Sequence, residues 1–170
     1  MSIGAHTIII AVVIGIGATL AIDLWSLFLK RAFNISSLNY CLLGRWIRHM
    51  QGGVFRHKSI TAAPPRPFEC AAGWIAHYMI GVVFAIVFVF LVSGDWLAQP
   101  TLLPALLYGI CTVVFPMFIM QPSIGLGIAA SKTQNPLQAR LKSLGTHAVF
   151  GLGMYACALA VRFVMQLGFS

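Results

Sequence analysis

Four apolar stretches, each long enough to cross a bilayer, set the limits on what this chain can fold into. They run from about residues 7 to 29, 68 to 92, 102 to 122 (or to 131 if the helix continues past a proline) and 141 to 167. A helix needs about 20 residues to cross a ~30 Å hydrocarbon layer, and with no water in that layer each backbone N–H and C=O must be paired internally. Helices satisfy this requirement within a single segment. The expected fold is therefore an all-α membrane protein, a four-helix transmembrane bundle in a single polytopic domain over residues 1–170. Composition agrees: 59% of the 170 residues are hydrophobic and 8% are charged, against roughly 25% charged in an ordinary soluble domain. The N-terminus lacks a basic region, and no small-residue cleavage site follows the first apolar run, so that run reads as a retained helix.

The net charge of +8 could suggest a nucleic-acid partner, but its distribution gives another reason for it. Lys30, Arg31, Arg45, Arg48, Arg56, Lys58 and Arg66 lie between the first two spans, and Lys132, Arg140 and Lys142 between the last two. Only Arg162 is near the opposite end. Basic loops stay on the cytoplasmic side, so residues 31–66 and 132–140 are expected inside, and both termini and residues 94–100 outside. The partner implied is the lipid bilayer, not nucleic acid.

The first connecting loop contains an amphipathic segment, about residues 37–51. Leu38, Leu42, Trp46 and Met50 recur at helical spacing, with Arg45 and Arg48 on the opposite arc. Ser36 or Ser37 is the expected N-cap and Gly52 the stop. This reads as an interfacial helix whose Arg45 and Arg48 meet anionic headgroups; a helix packed on partner protein is the alternative.

Polar residues inside the spans are the candidate site. Asp23 interrupts an apolar run at a cost of roughly 2.5–3.5 kcal/mol on insertion scales. At 1.5 Å per residue it lies about 10 Å inside the basic boundary, His77 about 12 Å and His147 about 8–10 Å. Gln121 falls near the same level. Asp23, His77, Gln121 and His147 are thus expected in one layer of the cytoplasmic half, facing one another, with Asp23 in reach of at least one of the others. Such a layer suits transport, or proton or ion handling, with histidines titrating near neutrality. The alternative is interhelical hydrogen bonding that only fixes packing, at about 0.6 kcal/mol per contact. Two imidazoles and a carboxylate could also hold zinc or iron, but no HxxxH, CxxC or ExxH spacing accompanies them, and neither a metal nor a cofactor is expected.

In FPMFIMQPSIGLGIAASKT, Pro116, Pro122, Gly125 and Gly127 predict a helix break beside Gln121, of the kind found at transport sites. His77 and Gly81 share a helix face, as do His147 and Gly151, so leucine at either glycine should disturb packing more than leucine at Val89. These small residues suit intrachain packing, a homo-oligomer or a membrane-complex partner equally. Cys41, Cys70, Cys111 and Cys157 are scattered and suggest no disulfide. No serine-hydrolase, zincin, nucleotide or dinucleotide signature is present, which argues against an enzyme.

The combination GATLAIDLW, NYCLLGRW, GWIAHY, IMQPSIGLGIAASKTQNP and HAVFGLGMY resembles a family of uncharacterised bacterial four-helix integral membrane proteins, catalogued as a domain of unknown function. The resemblance spans nearly the whole chain. It implies a bacterial cytoplasmic membrane and carries no activity or site residue with it.

Overall fold

The computed structural model describes residues 4–36, 38–92 and 95–167. Among these residues the secondary structure is helical throughout, and four helices are long and apolar enough to cross a membrane. α1 (Ala5–Phe33) is the first, and it ends where Asn34 turns left-handed, its N–H donating to Lys30 O and that of Ile35 to Leu29 O. α2 (Tyr40–Met50) follows, then α3 (Glu69–Val92) and the short α4 (Asp95–Ala98). The third span, Leu102–Ser123, is composite. It comprises α5 (Leu102–Cys111), a wider π-type turn at Pro116–Met120, and a last turn α6 (Gln121–Ser123). α7 (Pro136–Leu167) completes the bundle. Pro136 fits its first position, where no N–H is needed, and the Asn135 side chain accepts from the Gln138 N–H.

The third span stops at Ser123 and does not continue to residue 131. Pro116 removes a donor and coincides with the π-type turn, but Pro122 sits inside the last helical turn. Termination comes from Gly125 (φ +94°) and Gly127 (φ +76°), in the left-handed region that L side chains rarely adopt. Gly125 also has no room for a Cβ, which would lie 2.2 Å from the Lys58 carbonyl. That close approach exists because residues 57–60 pair with the end of the span, through His57 N–H to Ser123 O (2.8 Å) and Ile60 N–H to Ile124 O (3.0 Å).

α2 departs from the expectation in several ways. Its N-cap is Asn39, whose side chain accepts from the Cys41 N–H at 2.9 Å; Ser37 lies outside the described residues. Gly53, at φ +78°, turns the chain after the helix, not Gly52. Its contacts with α3 run in antiparallel register, from Tyr40 beside His77 to Arg45 bonded to Glu69. Gly44 and Gly73 let the two backbones touch: a Cβ on Gly73 would lie 1.8 Å from Tyr40 O. This register also joins Cys41 to Cys70 in a disulfide, contrary to the expectation of none. Spacing could not reveal it, because the pair is created by the chain folding back on α3.

The long helices meet as α3 on α1, α1 on α7 and α7 on α5, whereas α3 barely touches α5. Small residues stand at the crossings: Gly15 against Gly81 and Val82, Gly153 against Ala18, Gly109 against Gly151. The end of the bundle near α4 is solidly packed around Ile14, Phe88, Val89 and Met154. Val89, only 2% exposed, is thus a core residue and not the lipid-facing comparison the sequence suggested. The opposite, basic end contains a cavity of about 880 Å³, where α3 and the third span diverge.

Candidate functional site

Asp23 sits on α1 and faces α3. Its Oδ1 is 3.0 Å from His77 Nε2, and its Oδ2 accepts from the Tyr78 hydroxyl at 2.8 Å. The Tyr40 hydroxyl reaches Oδ1 at 3.5 Å, while its ring stacks on His77 with centroids 4.1 Å apart. Both carboxyl oxygens are therefore engaged, which offsets the cost of placing this group within a span. Burial, and then the nearby Asp23, push the Tyr40 hydroxyl pKa upward, so Tyr40 serves as a proton donor in the hydrogen bond.

The expected single layer is divided. His147 Nδ1 pairs with Thr112 Oγ1 at 2.7 Å, and Thr112 in turn donates to Gly109 O at 2.6 Å. This second pair ties α7 to the third span, as Asp23 and His77 tie α1 to α3. Gln121 joins neither: its side chain is buried and its Oε1 has no partner. What unites three of the four residues is the cavity, whose wall includes His77, Gln121 and His147. Asp23 stands behind His77.

Two partners of Asp23 were missed in the sequence. Tyr78 directly follows His77 and could have been considered with it. Tyr40 could not, because it belongs to a segment read as lying on the membrane surface. Thr112 was missed for another reason: a threonine in an apolar run gives little signal until its neighbour is known.

Arg45 also differs from the reading as a headgroup ligand. Its guanidinium forms a two-pronged pair with Glu69, Nε to Oε2 at 2.9 Å and Nη2 to Oε1 at 2.7 Å, and Nη1 donates to Ala63 O at 3.1 Å. The hydrogen bonds to Glu69 raise its pKa further, and the planar fork leaves little free for lipid. Arg48 Nη1 donates to Gln51 at 2.8 Å. No cluster of three or more His, Cys, Asp or Glu suited to a metal occurs among the described residues.

Phe84, Phe115 and Phe150 line the cavity, and a second aromatic cluster lies in the packed core. Phe84 packs against Phe115 and Phe150, and Phe88 against Trp96 and Tyr108. The Tyr108 hydroxyl donates to Phe84 O at 2.9 Å, fixing this layer. The cavity lies in the basic half, and the core around Phe88, Val89 and Met154 fills the other.

These features define an all-helical protein with four membrane-length helices and a largely apolar pocket between them, into whose wall His77, Gln121 and His147 are set. The chain belongs to the family described as a protein of unknown function (DUF2938), whose model matches residues 12–161. No curated protein and no solved structure shows significant similarity to it.

Proposed function

We propose that this chain is a small polytopic protein of the bacterial cytoplasmic membrane that handles a proton or a small substrate through the Asp23–His77 pair. The 3.0 Å contact between Asp23 Oδ1 and His77 Nε2 carries the reading, because His77 also lines the cavity. An imidazole between a cavity and a carboxylate can take a proton on one ring nitrogen and release one from the other. Asp23, held by Tyr78 and Tyr40, supplies a fixed acceptor. A bound proton could then alter the α1–α3 contact and the shape of the pocket between the helices.

Asp23→Asn tests this reading. The amide is nearly isosteric and keeps one acceptor for Tyr78, so folding should be preserved. Proton-coupled flux in proteoliposomes should fall at least tenfold. Unchanged flux in a folded variant, or no flux from the wild-type protein, would favour a second reading: a non-catalytic membrane subunit or assembly protein whose polar pairs fix packing. The Thr112–His147 pair favours that alternative, since it links two helices with no contact to Asp23 in its hydrogen bonds.

The orientation proposed places the basic loops in the cytoplasm and both termini outside, with lipid headgroups met on the basic side. Cysteine introduced at Ser59, which is exposed, should react with an impermeant maleimide only after the cells are opened. The background should lack Cys111 and Cys157 but retain the Cys41–Cys70 pair that links α2 to α3. Labelling of this cysteine in intact cells would reverse the orientation.

A further inference from the structure

The disulfide lies one residue from the Asp23–His77 site. Cys41 bonds to Cys70 and directly follows Tyr40, whose ring stacks on His77 with centroids 4.1 Å apart. On α3 the residues that meet this turn are Cys70, Gly73 and His77, at the i, i+3, i+7 spacing of one helix face. Cys70 holds Cys41, Gly73 makes room for the Tyr40 carbonyl, and His77 receives the Tyr40 ring. Tyr40 covers one face of the imidazole, and the His77 side chain is only 12% exposed.

The two ends of α2 are held differently. In its second half Arg45 pairs with Glu69, Trp46 Nε1 donates to Phe55 O at 2.8 Å, and His49 Nε2 donates to Pro64 O at 2.9 Å. In the first turn Asn39 caps its own helix. Among the described residues, the one hydrogen bond tying residues 38–43 to another element runs from Tyr40 to Asp23, and at 3.5 Å it is long and weak. The first turn therefore keeps its place on α3 through the disulfide and the stacking that the disulfide enforces. Two free thiols cannot share the space of one S–S bond. Reduction moves this turn outward, while Arg45 and Glu69 keep the rest of α2 attached.

We propose that Cys41–Cys70 is a redox switch over the Asp23–His77 site. The bonded pair clamps Tyr40 on His77, and the reduced pair uncovers the imidazole toward the cavity that it lines. The reductant is a dithiol. Its thiolate attacks the sulfur of exposed Cys70, the S–S bond breaks, and the Cys41 sulfur leaves as a thiolate and takes a proton. The second thiolate of the reductant then displaces the Cys70 sulfur, which takes the other proton, and the reductant departs as its own disulfide. Exchange with a disulfide in the reverse direction resets the clamp. The switch acts on the site of the proposed function and rests on that reading only for what uncovering His77 does.

Carbethoxylation of His77 by diethyl pyrocarbonate, followed by peptide mass spectrometry, tests the switch in detergent-purified protein. Oxidised protein is compared with protein reduced by dithiothreitol and then freed of it by gel filtration. Reduction should speed modification of His77 at least about fivefold and leave that of His147, which pairs with Thr112, within about twofold. Cys41→Ser should match reduced protein with or without dithiothreitol, and Tyr40→Ala should show the fast rate while still oxidised. Equal His77 rates in the two redox states, or a slow rate in oxidised Tyr40→Ala, would overturn the proposal. So would a His147 rate that rises in step with His77, since it marks a general loosening of the bundle. If Cys41→Ser does not fold, the two redox states of the wild-type protein decide alone. Flux unchanged by Asp23→Asn, with His77 still following redox state, would remove the proton reading and leave the clamp. A His77 blind to redox state would remove the clamp whatever the flux.

Discussion

Alanine at Gly73 is expected to lower stability by at least about 3 kcal/mol, well above the ~1 kcal/mol typical of a point substitution. The added Cβ would lie 1.8 Å from the Tyr40 carbonyl oxygen, and a Cβ on Gly44 would lie 1.7 Å from the Glu69 oxygen. Both obstructing atoms are backbone, so no side-chain rotation relieves the overlap. α2 must move away from α3, and with it Tyr40, which contacts Asp23 and stacks on His77. Gly151→Leu should also be costly, because its Cβ meets Ala105 O at 2.6 Å and Leu106 Cα at 2.8 Å. Gly81→Leu meets the Thr19 hydroxyl at 1.9 Å, a side chain but a buried one held by Gly15 O. Val87→Leu, on the exposed side of α3, is the proper comparison in place of buried Val89. Gly145→Ala should go the other way: nothing lies within 4 Å of its Cβ, and alanine is favoured in a helix by up to ~1 kcal/mol. Thermal unfolding in detergent checks the series. Equal melting temperatures for Gly73→Ala, Val87→Leu and wild type would refute the close crossing.

The four spans were legible because the bilayer imposes a length and a polarity that a single sequence displays directly. Depth along a helix was legible for the same reason, since a fixed rise per residue converts numbering into distance. Depth correctly brought Asp23 to His77. It could not tell which helices are neighbours at that depth, and so it merged two separate pairs, Asp23–His77 and Thr112–His147, into one layer. Contacts that depend on the chain turning back were hidden as well. Tyr40, Cys41 and Arg45 look like residues of a surface helix until α2 is laid against α3. Their partners His77, Cys70 and Glu69 are 37, 29 and 24 residues away, and no local pattern links them. The glycines were recognised as packing residues, but the pair with the closest contact, Gly44 and Gly73, was not singled out because helical contact was expected only among the spans.

The second large effect concerns the disulfide between Cys41 and Cys70. Reducing it should destabilise the protein by about 3–4 kcal/mol in the chain-entropy account, for a closed loop of about 29 residues. The loop includes α2 from Cys41 onward and the segment that pairs with the third span, so the loss should appear as a lower melting temperature in reductant. Compartment makes the pair more informative. It lies at the basic end of the bundle, which the charge rule assigns to the cytoplasm, where thiols are kept reduced and lasting disulfides are rare. Cys70 is exposed and open to exchange by thiols, whereas the Arg45–Glu69 pair and the Gly44–Gly73 contact still hold α2 once the bond is cut. With the basic end inside, the expected result is a reversible pair. Maleimide trapping of unstressed cells should find Cys41 and Cys70 reduced, and a membrane-permeant thiol oxidant should close the bond and raise the melting temperature. A pair already oxidised in unstressed cells, with Ser59→Cys labelled from outside, would instead place the basic loops in an oxidising compartment and invert the topology. The two measurements are independent, since one reads redox state and the other reads access. Agreement between them settles the side on which α2 and the cavity lie.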